Sequence, residues 1–262
     1  MYYLAISAIV KNEDPFLEEW VSYHNLIGVD HIFLYDNDNN IPLKHTLKKY
    51  IDKGLVTVTE FPGKSRQMPS FNHCLQNFGA QCNWISFIDA DEFLVPMKED
   101  NIQNILKNFE NYGGLNVNWR CFGSNGHIKR PEGLVIENYT MATPDDFVVN
   151  LHTKAIVQPK YTVSASGDPH HFRFKPGYNA VSEKMEIVPN AFSKSFSAQT
   201  IQLNHYVNRS LEDFKEKRAR GRSDCADHPS RSFEDFHGLD AVSTVEDKSA
   251  TRFADKTRSL II

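Results

Sequence analysis

Three carboxylates fall within four positions of the stretch WISFIDADEFLVP (84–96): Asp89, Asp91 and Glu92. A mostly apolar run leads into them, and Phe93, Leu94 and Val95 follow. For an isolated Asp-x-Asp, the plain reading is a helix cap at Asp89 with solvated charge behind it. Apolar flanks on both sides argue for more, because like charges held between apolar segments repel one another and resist burial. A divalent cation removes both costs. Oxygen ligands without a cysteine cluster select Mg²⁺ or Mn²⁺, and such ions bridge to phosphate oxygens. The expected ligand is therefore a nucleotide diphosphate, neutralised by the metal and stabilised as a leaving group. Neither GxxxxGK[ST] nor GxGxxG occurs, so a P-loop and a dinucleotide fingerprint are absent. A nucleotide held by carboxylate and metal, without a glycine-rich loop, points to sugar nucleotides.

The elements that position these residues are legible in the first hundred positions. Leu4–Val10 has strand length. Asp14-Pro15 opens a helix, with Leu17, Trp20, Val21, His24 and Ile27 at helical spacing and Gly28 at its end. HIFLY (31–35) is a second strand running into DNDNN (36–40). A second helix carries Leu43, Leu47, Tyr50 and Ile51 up to Gly54. LVTVTEF (55–61) alternates as a third strand, Phe71, Cys74, Leu75 and Phe78 mark a third helix, and WISFI (84–88) is a fourth strand. This βαβαβαβ order predicts a mostly parallel sheet with helices on both faces. Ligands bind such sheets beyond the carboxyl ends of the strands, where KNED, DNDNN and DADE converge. In the second half GLNVNWRCFG, GLVIENY, KAIVQP, HHFRF and TIQLNHY read as strands. Ser210 and Asp213 then form a capping-box-like start to a helix reaching about Ala219.

The 262 residues, 40% hydrophobic and 24% charged, describe a globular chain with room for a sizeable core. A net charge of −4 argues against a whole-protein electrostatic partner such as nucleic acid or membrane. Cys74, Cys82, Cys121 and Cys225 show no CxxC spacing, so they read as buried reduced thiols in a cytoplasmic protein. The N-terminus reads as a strand, not a signal peptide, and no window is long and apolar enough to span a membrane.

Asp89-Ala90-Asp91 after a hydrophobic strand resembles the DxD motif of GT-A glycosyltransferases. The chain more specifically resembles glycosyltransferase family 92 and the related family-2-like bacterial enzymes. The resembling pieces are VKNE (10–13), EWVSYHNLIGVDHIFLYDN (19–37), WISFIDADEFLVP, WRCFGSNGH (119–127), KAIVQP (154–159), HHF (170–172) and LNHYVNRSLEDFKEKRARG (203–221). The resemblance implies an α/β GT-A fold, Rossmann-like, with an appended acceptor-side α+β subdomain. It would form one domain over 1–262, with a nucleotide-sugar half at 1–114 and an acceptor-side half and tail at 115–262. It also implies a UDP-sugar donor and Mn²⁺ or Mg²⁺. Val10, Lys11, Asn12 and Glu13 would line the nucleotide pocket with Asp36 nearby, and Arg66 and Gln67 would reach the donor, as would Asp89 and Ala90. By the same resemblance Asp91 would be the surer metal ligand, with Asp89 beside it and His205 completing the site.

Other residues are read from their surroundings. Arg209, Lys215, Lys217, Arg218, Arg220 and Arg222 form a basic cluster. It is either a solvated helix face, or closes over the diphosphate through Lys217, Arg218 or Arg220, or touches an anionic membrane surface bearing a lipid-linked acceptor. An inverting transfer needs a base within reach of the acceptor hydroxyl. Asp168 ranks first and His171 second, with His170, Asp145 and Asp146 as competitors. Trp119, Phe122 and Trp84 are sugar-stacking candidates that double as core residues. The expected activity is metal-dependent transfer of a hexose, galactose or glucose, from a UDP-sugar to a hydroxyl of a glycan or lipid-linked glycan. Its expected setting is surface polysaccharide or lipopolysaccharide synthesis at the cytoplasmic face, with peripheral contact to the inner membrane. The rivals are a metal-dependent sugar-nucleotide hydrolase or nucleotidyltransferase, and a non-catalytic sugar-binding module.

Overall fold

The computed structural model describes residues 1–165, 167–221 and 231–261; Arg222 and Cys225 lie outside the described residues. Its strands are β1 (Tyr2–Val10), β2 (His31–Asp36), β3 (Val56–Glu60), β4 (Cys82–Phe87), β5 (Glu92–Pro96), β6 (Gly114–Cys121), β7 (Met141–Ala142), β8 (Thr153–Val157), β9 (Thr162–Ala165), β10 (Phe172–Phe174), β11 (Ala180–Val181), β12 (Ile201–His205) and β13 (Val245–Glu246). The central sheet runs β3-β2-β1-β4-β8-β6-β12-β5, with β11 beside β6, and β9–β10 and β7–β13 form two small ribbons. β1 pairs in parallel with β2 and β4, and β2 with β3. β8 inserts antiparallel between β4 and β6, and β5 lies antiparallel to β12. The expected α/β class with a mostly parallel sheet is the one found. The second half is no independent unit: β6, β8 and β12 extend the same sheet.

Both faces of the sheet are covered, which is why β1 is an almost unbroken apolar run. Leu4, Ile6, Ala8 and Val10 join one core cluster, with Leu17, Trp20 and Val21 of helix Asp14–Leu26. Ala5 and Ile9 point into the other, with Phe71 and Cys74 of helix Gln67–Phe78. The strand period of two thus distributes one sequence between two layers. Cys74, Cys82 and Cys121 are buried and free, and burial pushes each thiol up to about 12. Among the described residues no helix is long and apolar enough to cross a membrane.

Two elements differ from expectation. The second helix divides into Leu43–Thr46 and Lys48–Asp52, because the backbone of Leu47 leaves the helical region (φ −105, ψ 19). GLVIENY is not a strand: Val135–Asn138 forms a turn of helix. The Glu19 carboxylate accepts the amides of Val135 (2.7 Å) and Ile136 (3.1 Å), and Glu137 reaches back to the amide of Leu134 (3.3 Å). Carboxylates on the free amides of a first turn favour helix over strand.

His24 ties the first helix to β5. Its Nδ1 donates to the Trp20 carbonyl (2.8 Å), and its Nε2 accepts the Leu94 amide (3.3 Å). That pairing requires a neutral ring, and burial lowers its pKa to about 3, with the Trp20 carbonyl opposing. An unfolded histidine titrates near 6.5. The stabilisation is therefore complete above about pH 6.5 and lost as pH falls toward 3, by up to ~1.4 kcal/mol per pH unit. Urea unfolding of wild type and His24→Gln should show their stability gap shrinking by about 2 kcal/mol from pH 6.5 to pH 5. A constant gap would refute this role.

Candidate functional site

A cavity of about 150 Å³ opens beyond the carboxyl ends of β1 and β4. One wall is the end of β1, where the chain must leave the sheet. Val10 offers its carbonyl to the Asn37 amide (2.9 Å) and to Asn39 Nδ2 (2.9 Å). Asn12 takes the left-handed conformation (φ 50) and exchanges hydrogen bonds with the Asn39 side chain and the Asn40 amide. Asparagine tolerates that geometry better than most residues. The opposite wall is made of Trp119 on β6, Lys154 on β8, His170 and His205. Helix Leu211–Arg220 closes the cavity with Lys217 and Arg220. Its capping box of Ser210 and Asp213 is as the sequence predicts.

Each carboxylate in these walls has a cation from the second half. Asp89 accepts Lys154 Nζ (2.8 Å) through one oxygen and Gln67 Nε2 (2.7 Å) through the other. Asp91 pairs with Lys217 and stands 3.6 Å from His205 Nε2. Glu13 pairs with Arg209 (2.5 Å) and Arg220. Burial raises the Asp91 carboxyl, but Lys217 and His205 outweigh it and hold it well below the usual range. For Glu13 the two guanidiniums outweigh burial in the same way. Burial lowers Lys217 to about 8, against the pull of Asp91. Glu92 is buried behind this layer, accepting Trp119 Nε1 (2.7 Å) and the Asp89 amide (2.8 Å), with Lys154 at 3.6 Å. Burial pushes its carboxyl up to about 8, and Lys154 opposes this.

The three residues expected to bind metal come together only in part. Among the described residues no group of three His, Cys, Asp or Glu converges to hold an ion. Asp89 is turned toward Gln67 and Lys154, whereas Asp91 and His205 face each other. His205 Nδ1 is buried with no hydrogen-bond partner among the described residues. One carboxylate and one imidazole suit a divalent ion that takes its other ligands from phosphate and water. The Lys217 ammonium rests on the Asp91 oxygen that faces His205.

Val10, Lys11, Glu13, Gln67, Asp89, Ala90, Lys217 and Arg220 all line the cavity as expected. Asn12 borders it through its backbone, giving its carbonyl to Arg220 (2.7 Å). Others are placed elsewhere. Asp36 is consumed by its own loop, accepting the amides of Asn39 (3.1 Å) and Leu43 (2.8 Å). Arg66 stacks over Phe61, 4.6 Å from the ring centroid, and exposed Arg218 stacks over Phe233 at 4.8 Å. Asp168 caps the His170 amide (2.7 Å), and neither Asp168 nor His171 lines the cavity. Asp145 pairs with Arg120 (2.6 Å), Asp146 is exposed, and Trp84 and Phe122 are core. Lys154 carried one unread signal, a lysine at the head of the otherwise apolar strand KAIVQP. Of the neighbours His170 and His171, His170 is the one that lines the cavity. Its Nδ1 donates to the Thr153 carbonyl (2.8 Å), leaving Nε2 with the lone pair. Burial, then Lys154, lowers its pKa to about 4, so the ring is neutral.

The family model described as glycosyltransferase family 92 matches residues 2–231. A family 92 protein of Oryza sativa subsp. japonica is 29% identical over 222 residues, 82% of this chain and 35% of the relative. One of Ricinus communis is 31% identical over 222 residues, 82% of this chain and 37% of the relative. A galactan beta-1,4-galactosyltransferase of Arabidopsis thaliana is 23% identical over 211 residues, 68% of this chain and 41% of the relative. The chain thus spans 35% to 41% of the length of these relatives.

Removing Glu13 would leave the buried Arg209 guanidinium and the partly buried one of Arg220 without their carboxylate. Glu13→Ala should therefore cost about 3–5 kcal/mol of stability, measured by urea unfolding. A loss under about 1 kcal/mol would mean that the pairing contributes little.

Proposed function

The chain belongs to glycosyltransferase family 92, and from that premise we propose that it transfers a hexose from a UDP-sugar to a hydroxyl of a glycan, with inversion. The observation that carries this reading is the charge of the cavity. Among the described residues Lys11, Lys154, Lys217 and Arg220 line it with Glu13, Asp89 and Asp91, and the spare donors of these cations suit a diphosphate. Its ~150 Å³, about five waters' worth, holds that group and leaves nucleoside and sugar to extend beyond. Galactose is the first donor sugar to test, because one relative is named a galactosyltransferase.

Asp91 and His205 would hold Mn²⁺ or Mg²⁺, which when bound neutralises charge on the departing diphosphate. Lys217, beside the Asp91–His205 pair, and Arg220 would share their ammonium and guanidinium donors with phosphate oxygens, and Glu13 fixes the Arg220 fork. Lys154 and Gln67 keep Asp89 turned aside. His170, neutral and with Nε2 free to accept, takes the proton of the acceptor hydroxyl as it attacks the anomeric carbon. That role replaces the ones expected of Asp168 and His171. A lipid-linked acceptor is favoured by the exposed Lys215 and Arg218 on the outer side of helix Leu211–Arg220, which suits an anionic membrane surface. Surface-polysaccharide or lipopolysaccharide synthesis at a cytoplasmic face belongs to this proposal; the relatives quoted are plant proteins.

The first test is thermal unfolding with UDP, GDP, CMP and ADP, each with and without Mn²⁺. UDP with Mn²⁺ should raise the melting temperature by several degrees through binding to the folded state. No response to any nucleotide would sink the reading and favour a sugar-binding module. UDP-galactose turnover without acceptor, as fast as transfer, would favour a hydrolase. Asp91→Asn, which keeps an oxygen toward Lys217, should abolish transfer while the protein stays folded. His170→Ala should retain the UDP response and lose about 10²–10⁴-fold in kcat; unchanged kcat would remove His170 from the chemistry.

A further inference from the structure

A file of contacting rings leads out of the cavity. It begins at His205, whose ring centroid lies 4.3 Å from that of Trp119. Trp119 stacks on His152 at 4.9 Å with an interplanar angle of 22°, and His152 meets Phe192 at 4.2 Å. The cavity-lining His170 flanks the file, 5.0 Å from Trp119 and 5.5 Å from His152. Phe192 ends the row 48% exposed, the one aromatic among the strongly exposed large apolar side chains of the described residues.

This exposed ring is held in place. Residues 191–193 bridge to 151–153: the Thr153 amide donates to the Ala191 carbonyl (2.9 Å), and the Ser193 amide to the Leu151 carbonyl (2.9 Å). His152 is anchored through Nδ1 on the Val149 carbonyl (3.0 Å), and Trp119 through its indole on Glu92 (2.7 Å). His152 covers one side of Phe192, and its exposure leaves the rest to solvent. A rigid half-exposed ring keeps apolar area in water and gains little from the core, whereas it offers a ready apolar face to a flat ligand. The row stands on the wall built by β6, β8 and the 191–193 segment. Its inner members Trp119 and His205 line the cavity that Val10, Lys11 and Asn37 also border, whereas His152 and Phe192 do not line it. A ligand on Phe192 therefore lies outside the cavity, one ring removed from the cavity-lining His170.

We propose that Phe192 is the platform for a sugar ring of the acceptor that is remote from the transfer point, so that the protein favours acceptors of several sugar units over single sugars. The proposal rests on the glycosyltransferase reading. Trp119 and His152 have their faces covered by neighbouring rings, so they serve as the buttress and Phe192 as the contact. Sugars stack on aromatic faces through C–H groups without net charge, so the preferred occupant is a neutral pyranoside.

Wild type, Phe192→Ala and Phe192→Tyr would be titrated calorimetrically with β-1,4-galacto-oligosaccharides, from galactose to the hexamer, in the presence of UDP. Transfer from UDP-galactose to the same ladder would be measured in parallel. Wild type and Phe192→Tyr should bind longer members more tightly. Phe192→Ala should weaken the long members about three- to tenfold and leave the shortest unchanged, with KM rising and kcat held. Equal behaviour of Phe192→Ala and wild type along the ladder would overturn the proposal. So would a loss that is uniform with length, or a wild type that binds no member. Absence of transfer by wild type, with length-dependent binding intact, would defeat the transferase reading and leave the platform standing.

Discussion

A charge cannot be buried alone. The loop after β4 brings Asp89, Asp91 and Glu92 to the base of a cavity, and the end of β1 adds Glu13. None of their balancing cations comes from the first half of the chain. Lys154 stands on β8, and Arg209, Lys217 and Arg220 come from helix Leu211–Arg220 and the turn before it. Burying a carboxylate without its partner costs several kcal/mol, so the β1–β4 half acquires a formed site only as the later strands and helix close over it. The site is thus a product of the joined sheet.

The same economy leaves the cavity poised for an anionic ligand. Lysines and arginines that already neutralise protein carboxylates can be shared with phosphate, because each ammonium and guanidinium has more donors than its present partner uses. Glu92 links the two walls. Its oxygens hold the Trp119 indole and the Asp89 amide, so the ring file and the aspartate loop share one buried anchor.

The sheet was legible because its strands alternate with helices and because each carries a period the core uses. DADE stood out because three carboxylates between apolar runs repel one another and resist burial; the pattern pointed to a divalent ion, and the pairing of Lys154 and Lys217 with Asp89 and Asp91 went unread. Helix Leu211–Arg220 announced itself through Ser210 and Asp213. Val135–Asn138 did not, since the carboxylate of Glu19 that caps it lies 116 residues earlier. Asp36 and Arg66 do not line the cavity for a related reason: a polar residue beside a site can be spent on its own loop or on a neighbouring ring, and spacing cannot tell which. His170 and His171 are adjacent in sequence, and only the turn at Asp168 decides which of them reaches the cavity. Partners of Lys154 were unreadable because Asp89 is distant along the chain and adjacent only across the sheet.

β5 follows the aspartate loop at once and pairs with β12, so that His205 stands opposite Glu92 and the Tyr206 amide meets the Asp91 carbonyl. The hundred-odd residues between these two strands leave the site and return to it through a fixed ladder. Length changes in the exposed turns of that interval, such as 128–133 or 184–187, are absorbed before the chain comes back to register. Descendants of this architecture can therefore remodel what they grasp without retuning the Asp91–His205 pair, which gives the fold a built-in separation between inherited chemistry and variable taste.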